Sequence, residues 1–181
     1  MNKVTILNFS GRNDGNCSKI ARHIAVRHAK TYVQSYVVDM RISPCNSCDY
    51  ECLRSNYMCP NVSDYQTEIM EAVLNSDVTY MIVPNYCGFP CANFMAFNER
   101  SVGYFNMDRA LMRRYLNVRK RFIIVSNSET AIFQKAMEQQ ASDTSEVLYL
   151  KSSKYGARSI AGDILERLEA VADLDAFLEL E

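Results

Sequence analysis

A chain of 181 residues supports one good hydrophobic core but not two ordinary domains, and a composition 48% hydrophobic and 23% charged excludes a disordered or fibrous protein. The formal net charge of -1 lacks both the basic surplus of a nucleic-acid binder and the marked acidity of many small electron carriers. No apolar stretch reaches membrane-spanning length, and seven cysteines without an export signal point to a reducing, cytoplasmic setting where thiols do chemistry or bind metal.

The first predicted element is a strand in KVTILNF, followed by a small polar loop within FSGRNDGNCSKI (residues 9–20) and a helix with Ile20, Ile24 and Ala25 on one side. SYVVDM predicts a second strand, and the irregular residues 41–60 carry four cysteines. Ser63 and Gln66 form a capping box before a helix that repeats Tyr65, Ile69, Val73 and Leu74. DVTYMIVP is a third strand; helical spacing follows at Phe94, Phe97 and Arg100, then, past an irregular piece near 102–107, at Leu111, Tyr115 and Leu116. The basic run RRYLNVRKR (Arg113–Arg121) reads as a solvated helix end and strand start in preference to a phosphate patch. RFIIVS and EVLYL are the last two strands, separated by a helix in AIFQKAMEQQA. The closing stretch ARSIAGDILERLEAVADLDAFLEL predicts a long helix with Ile160, Ile164, Leu168 and Val171 on one face. His23 and His28 stand five apart on the first helix, point to different faces, and read as surface or boundary residues.

Strand alternating with helix five times predicts an α/β three-layer sandwich: one domain over 1–181, with a five-stranded parallel sheet of order 2-1-3-4-5 and 41–60 as a cysteine-rich loop insertion. In such a sheet every loop leaving a strand's carboxyl end lies on one edge, and a ligand binds at the switch point between the first and third strands. The opening loop meets a helix amino terminus there, with Ser10, Asn16 and Ser18 as side-chain donors and Arg12 as a charged fork, a set suited to one phosphate monoester. GxGxxG is absent, and no Lys-Ser/Thr follows the second glycine, so a dinucleotide loop and an ATPase loop are set aside. The third-strand loop, Pro84, Asn85, Tyr86, Cys87, Gly88, Phe89 and Pro90, offers backbone amides and aromatic rings to a flat heterocycle.

These motifs resemble those of the NAD(P)H-dependent FMN reductases of flavodoxin-like fold. Their pattern after the first strand, Ser-x-Arg-x-x-Gly/Ser-Asn-Thr/Ser, is similar to Ser10, Arg12, Gly15, Asn16 and Cys17; their Pro-x-Tyr-x-Gly is met by Pro84, Tyr86 and Gly88. Cys17 stands where a hydroxyl is usual, and Cys87 where an aromatic residue is frequent. The resemblance implies bound FMN, NAD(P)H as co-substrate, a small-molecule electron acceptor, flavin contacts from Ser126, Asn127 and Ser128, and a homodimer or homotetramer; the near-neutral charge and the lack of a spanning stretch predict no nucleic-acid or membrane partner. No general acid or base stands out.

Cys45, Cys48, Cys52 and Cys59 resemble the compact cysteine motif of the iron-sulfur flavoprotein branch, except that three residues instead of two separate the second and third cysteines. Three expectations stand side by side for this loop: a [4Fe-4S] cluster serving an electron carrier, a zinc or thiol sensor, or metal-free thiols. Cys87 and Cys91, across CGFPC, read as small pocket-lining residues rather than a redox pair.

Overall fold

The computed structural model describes residues 3–39, 41–45, 48–54, 59–61, 63–105, 108–127, 130–140 and 145–178. Its elements are β1 (Lys3–Asn8), α1 (Asn16–Arg27), β2 (Tyr32–Val37), α2 (Tyr65–Leu74), β3 (Val78–Tyr86), β4 (Phe89–Pro90), α3 (Ala92–Phe105), α4 (Arg109–Asn117), β5 (Arg119–Ser126), α5 (Ala131–Gln140), β6 (Ser145–Lys151) and α6 (Leu168–Leu178). The five long strands are all parallel in the order β2-β1-β3-β5-β6, which is the expected 2-1-3-4-5 arrangement. The two-residue β4 adds a sixth, antiparallel to the end of β3, pairing Tyr86 with Phe89 and Asn85 with Pro90.

Alternation along the strands splits the core into two layers. Val4, Ile6, Tyr80, Ile82, Ile123 and Val125 pack with Ile20 and Ile24 of α1 and Leu174 of α6. Leu7, Met81, Val83, Phe122 and Ile124 face Ile69 and Val73 of α2 and Phe94 and Phe97 of α3. The central strands read as near-continuous apolar runs because helices cover both faces.

Four local expectations differ from the structure. β2 begins at Tyr32, ahead of the apolar run that announced it, because Gln34 and Ser35 of this edge strand face partly outward. The cap of α2 is Asp64, whose carboxylate accepts the Gln66 amide, and the Gln66 side chain instead donates to the Phe97 carbonyl across the core. His28 is buried, its Nε2 3.0 Å from the Tyr80 hydroxyl, and burial followed by the charge of Arg121 holds its pKa below the usual imidazole value. Lys120 and Arg121 of the basic run are likewise buried, Lys120 on the Tyr115 and Val118 carbonyls at the end of α4 and Arg121 on Glu146.

The largest difference is at the carboxyl end. Residues 157–163 are not helical; a single 3-10 turn at Ile164–Glu166 precedes α6, and Ile160 and Leu168 are 79% and 88% exposed. Gly162 takes φ +72, a left-handed conformation that a helix interior excludes, and the Asp163 carboxylate accepts the Arg158 amide 2.8 Å away. The buried face of α6 is Ala170, Leu174 and Leu178.

Candidate functional site

Four segments meet at the carboxyl ends of β1, β3, β5 and β6. The first is the polar loop after β1, which its own side chains fold back on itself. Ser18 donates to the Arg12 carbonyl at 2.6 Å and accepts from Asn8 Nδ2 at 2.9 Å, while the Asn8 side-chain oxygen accepts the Ser10 amide at 3.0 Å. This bonding presents α1 end-on. Its N-cap is Gly15, no side chain caps it, and no acidic residue stands in its first turn. The first helical bond runs from the Lys19 amide to the Gly15 carbonyl, so the amides of Asn16, Cys17 and Ser18 precede the ladder, at the positive end of the dipole.

The second segment is the turn from β3 into β4. Cys87 and Gly88 have φ of +52 and +88, the two positive values of a tight two-residue hairpin, and Cys87 bears the steric cost that a side chain pays there. Tyr86 and Phe89 flank the turn, each 57% exposed. Third, β5 ends at Ser126, whose hydroxyl accepts Asn85 Nδ2 at 2.9 Å, followed by Asn127.

The fourth segment is the strap at 157–163, which sequence reasoning missed. It lies across the opening loop, fastened by Arg12 Nη2 donating to the Ile160 carbonyl (2.8 Å), Asn16 Nδ2 to the Ser159 carbonyl (3.2 Å), Lys19 Nζ to the Gly162 carbonyl (2.6 Å) and the Ile164 amide to Asn16 Oδ1 (3.0 Å). The approach is close enough that a Cβ on Gly162 would lie 2.6 Å from the Asp14 carbonyl. The signal that could have found it was the topological rule itself: the loop after the fifth strand reaches the same edge as the others.

Together these segments enclose a cavity of about 750 Å³, within the roughly 300–1,000 Å³ usual for cofactor-sized ligands. Of the residues expected from the sequence, Ser10, Arg12, Gly15, Asn16 and Cys17 form its phosphate-sized end; Pro84, Asn85, Tyr86, Cys87 and Gly88 form one wall, and Ser126 and Asn127 its floor. Ser18 sits beneath the loop instead of on the wall, Phe89 flanks the turn without lining the cavity, and Ser128 lies outside the described residues. Ile132 and Ile160 complete the mouth, with Ile132 packed against Gly88. The Asn16 side chain spends both its oxygen and its nitrogen on the strap, so its main-chain amide is what it offers a ligand.

The electrostatics suit a bound dianion. No carboxylate lines the cavity among the described residues, and Arg12 is its cation. Burial, reinforced by neighbouring Cys91, pushes the Cys17 thiol up to about 12, so at neutral pH it is an uncharged S–H group that does not repel an anion. Cys91 is raised by burial too, and its thiol bonds the Phe9 carbonyl at 3.4 Å. The donor set therefore fits a phosphate joined to a planar ring: uncapped amides and a guanidinium at one end, a backbone turn and apolar side chains at the other.

Among the described residues the cysteine loop packs on α3, and none of them lines this cavity. Arg100 of α3, 4% exposed, donates to the Ser43 carbonyl (2.7 Å), Asp64 Oδ2 (2.6 Å) and the Asn61 carbonyl (3.0 Å), and the Ser43 amide shares Asp64 Oδ2. Cys52 and Cys59 are buried, and Cys45 and Cys48 are half-buried. Among the described residues no three His, Cys, Asp or Glu side chains converge to hold a metal ion. As arranged here, the four thiols do not fit a cluster.

The sequence matches no protein-family model and no curated protein. Solved structures share the fold at low identity. The Trp repressor binding protein from Bacillus subtilis superposes with a TM-score of 0.64 at 15% identity, over 98% of each chain. Smu.1420 from Streptococcus mutans UA159 gives 0.64 at 9% identity, over 98% of this chain and all of the other (100%). FerB from Paracoccus denitrificans, a flavoenzyme NAD(P)H:(acceptor) oxidoreductase, gives 0.56 at 11% identity, over 98% of this chain and 96% of its own. The fold is flavodoxin-like. No helix among the described residues is long and apolar enough to cross a membrane.

Proposed function

We propose that this chain is an FMN-dependent NAD(P)H oxidoreductase that passes electrons to a small acceptor. The observation that carries the reading is the uncapped start of α1, free of acidic residues, opening into a cavity whose far wall is the tight turn at Tyr86, Cys87 and Gly88. That a protein of the same fold is named a flavoenzyme NAD(P)H:(acceptor) oxidoreductase supports it.

In this reading the amides of Asn16, Cys17 and Ser18, with Ser10 and Arg12, hold the phosphate, because the helix dipole and guanidinium both favour negative charge there. The strap fixes Arg12 through the Ile160 carbonyl and leaves its remaining donors for the ligand. The turn at Cys87 and Gly88 holds the ring edge through the main chain, while Tyr86, Ile132 and Ile160 limit water at the mouth. When bound, the flavin supplies hydride acceptance from a nicotinamide and electron transfer onward, so the protein's part is position and electrostatics. Exposed Tyr86, Phe89, Ile132 and Ile160 around the opening give a second copy of the chain an apolar surface to cover.

Titration of the purified protein with FMN, followed by flavin fluorescence, and a stopped assay of NADH and NADPH oxidation with a quinone test the proposal. Saturable one-to-one binding with turnover is expected. Absence of FMN binding by well-folded protein overturns it.

A further inference from the structure

We infer that Cys52 and Cys59 form an oxidisable thiol pair that closes into a disulfide, and that the cysteine loop works through this pair and not as a cradle for a cluster. The inference does not depend on the flavin reading. Its starting point is Gly103 on α3. A Cβ built there would lie 3.3 Å from Cys59 Cβ, 3.4 Å from Cys52 Sγ and 3.6 Å from Cys52 Cβ. Both cysteines thus rest on one point of one helix, in space that any larger residue at 103 would fill. Their own Cβ atoms are at most about 7 Å apart, against roughly 3.5–4.5 Å in a formed disulfide. Closure needs a movement of at most a few ångströms at one side.

Cys52 is carried by a short local turn, while the flanks of the loop are tied to α3. Cys52 sits in a single 3-10 turn, Glu51–Leu53, whose neighbours Leu53 and Arg54 are exposed. The flanks of the loop are anchored: Arg100 binds the Ser43 and Asn61 carbonyls and Asp64. Ser43, Asn61 and Asp64 therefore stay on α3 while the turn carrying Cys52 shifts towards Cys59. Cys45 and Cys48 are half-buried, and the three atoms nearest a Cβ at 103 all belong to Cys52 and Cys59. Among the described residues no three such side chains converge on one point, whereas these two share one.

The reaction needs a two-electron oxidant, here a hydroperoxide. Each thiol loses its hydrogen and the S–S bond forms; the two electrons and two protons pass to the hydroperoxide, whose O–O bond breaks to give an alcohol and water, or two waters from hydrogen peroxide. A dithiol reverses the change by exchange.

The test uses the full chain, reduced, exposed to hydrogen peroxide and then blocked with N-ethylmaleimide. Trypsin cleaves after Arg54, between the two cysteines, so only a disulfide keeps their peptides joined. The expected result is a joined pair of peptides, lighter by two hydrogens, that dithiothreitol separates. Cys52→Ser and Cys59→Ser should each abolish it, and Cys45→Ser/Cys48→Ser should leave it intact. FMN titration of the same samples reports the flavin site separately. A linkage through Cys45 or Cys48, no linkage at all, or anaerobic reconstitution yielding about four irons per chain bound by the four cysteines overturns the inference.

Discussion

Two irregular loops leave neighbouring strands of the same sheet, and each is held by an arginine. Arg100 is buried against the cysteine loop and its terminal nitrogens are consumed by two carbonyls and Asp64. Arg12 is exposed on the opening loop, with one bond to the Ile160 carbonyl, and stands on the wall of a cavity. The same side chain thus does two different jobs: a guanidinium surrounded by the protein's own acceptors is a structural tie, and one tethered at a single nitrogen is preset for an outside anion.

The comparison breaks most visibly at Arg100. Arg100→Leu strands Asp64 and leaves the loop carbonyls unpaired, which is expected to cost about 3–5 kcal/mol, read as a lower urea midpoint. Flavin affinity per folded molecule should not change. Ser10→Ala/Arg12→Ala is the converse: FMN affinity should fall about tenfold to a hundredfold, the worth of charge-assisted bonds, with a stability loss below about 1 kcal/mol. A double variant as unstable as Arg100→Leu would show that Arg12 is a structural tie after all. Gly162→Ala lies between these cases. Its Cβ meets the Asp14 carbonyl in a left-handed conformation, so about 1–2 kcal/mol of strain should lift the strap and weaken FMN binding with it.

The strap also shows where the sequence misled. Ile160, Ile164, Leu168 and Val171 recur at helical spacing, and nothing local distinguishes a buried Ile164 from an Ile160 that stands over a cavity. Gly156 and Gly162 were the available breakers, but isolated glycines are tolerated in helices. What decides the matter is Arg12, nearly the whole chain away, donating to the Ile160 carbonyl. His28 is similar: its ring meets the Tyr80 hydroxyl on a strand three elements further on. The parallel sheet, by contrast, was legible because strands buried on both faces need apolar runs, and KVTILNF, DVTYMIVP and RFIIVS have no other use. The cavity residues at positions 10, 12, 15–17, 84–88 and 126–127 followed from topology once that sheet was in hand.

The smallest expected effect separates the two means of holding a loop from a third. The turn after β3 has no arginine; the backbone alone shapes it, and Cys87 occupies a left-handed position that Asn adopts more readily before glycine. Cys87→Asn should therefore raise stability by about 0.5–1 kcal/mol, the relief of that strain, seen as a higher urea midpoint. Strain kept at a ligand wall is a mark of a position chosen for something other than stability. If the stabilised variant binds FMN as well as the parent, the thiol at 87 has no part in the ring contact and the main chain of the turn suffices. If affinity falls while stability rises, Cys87 belongs with Arg12, as a side chain the fold holds out for a ligand at its own expense.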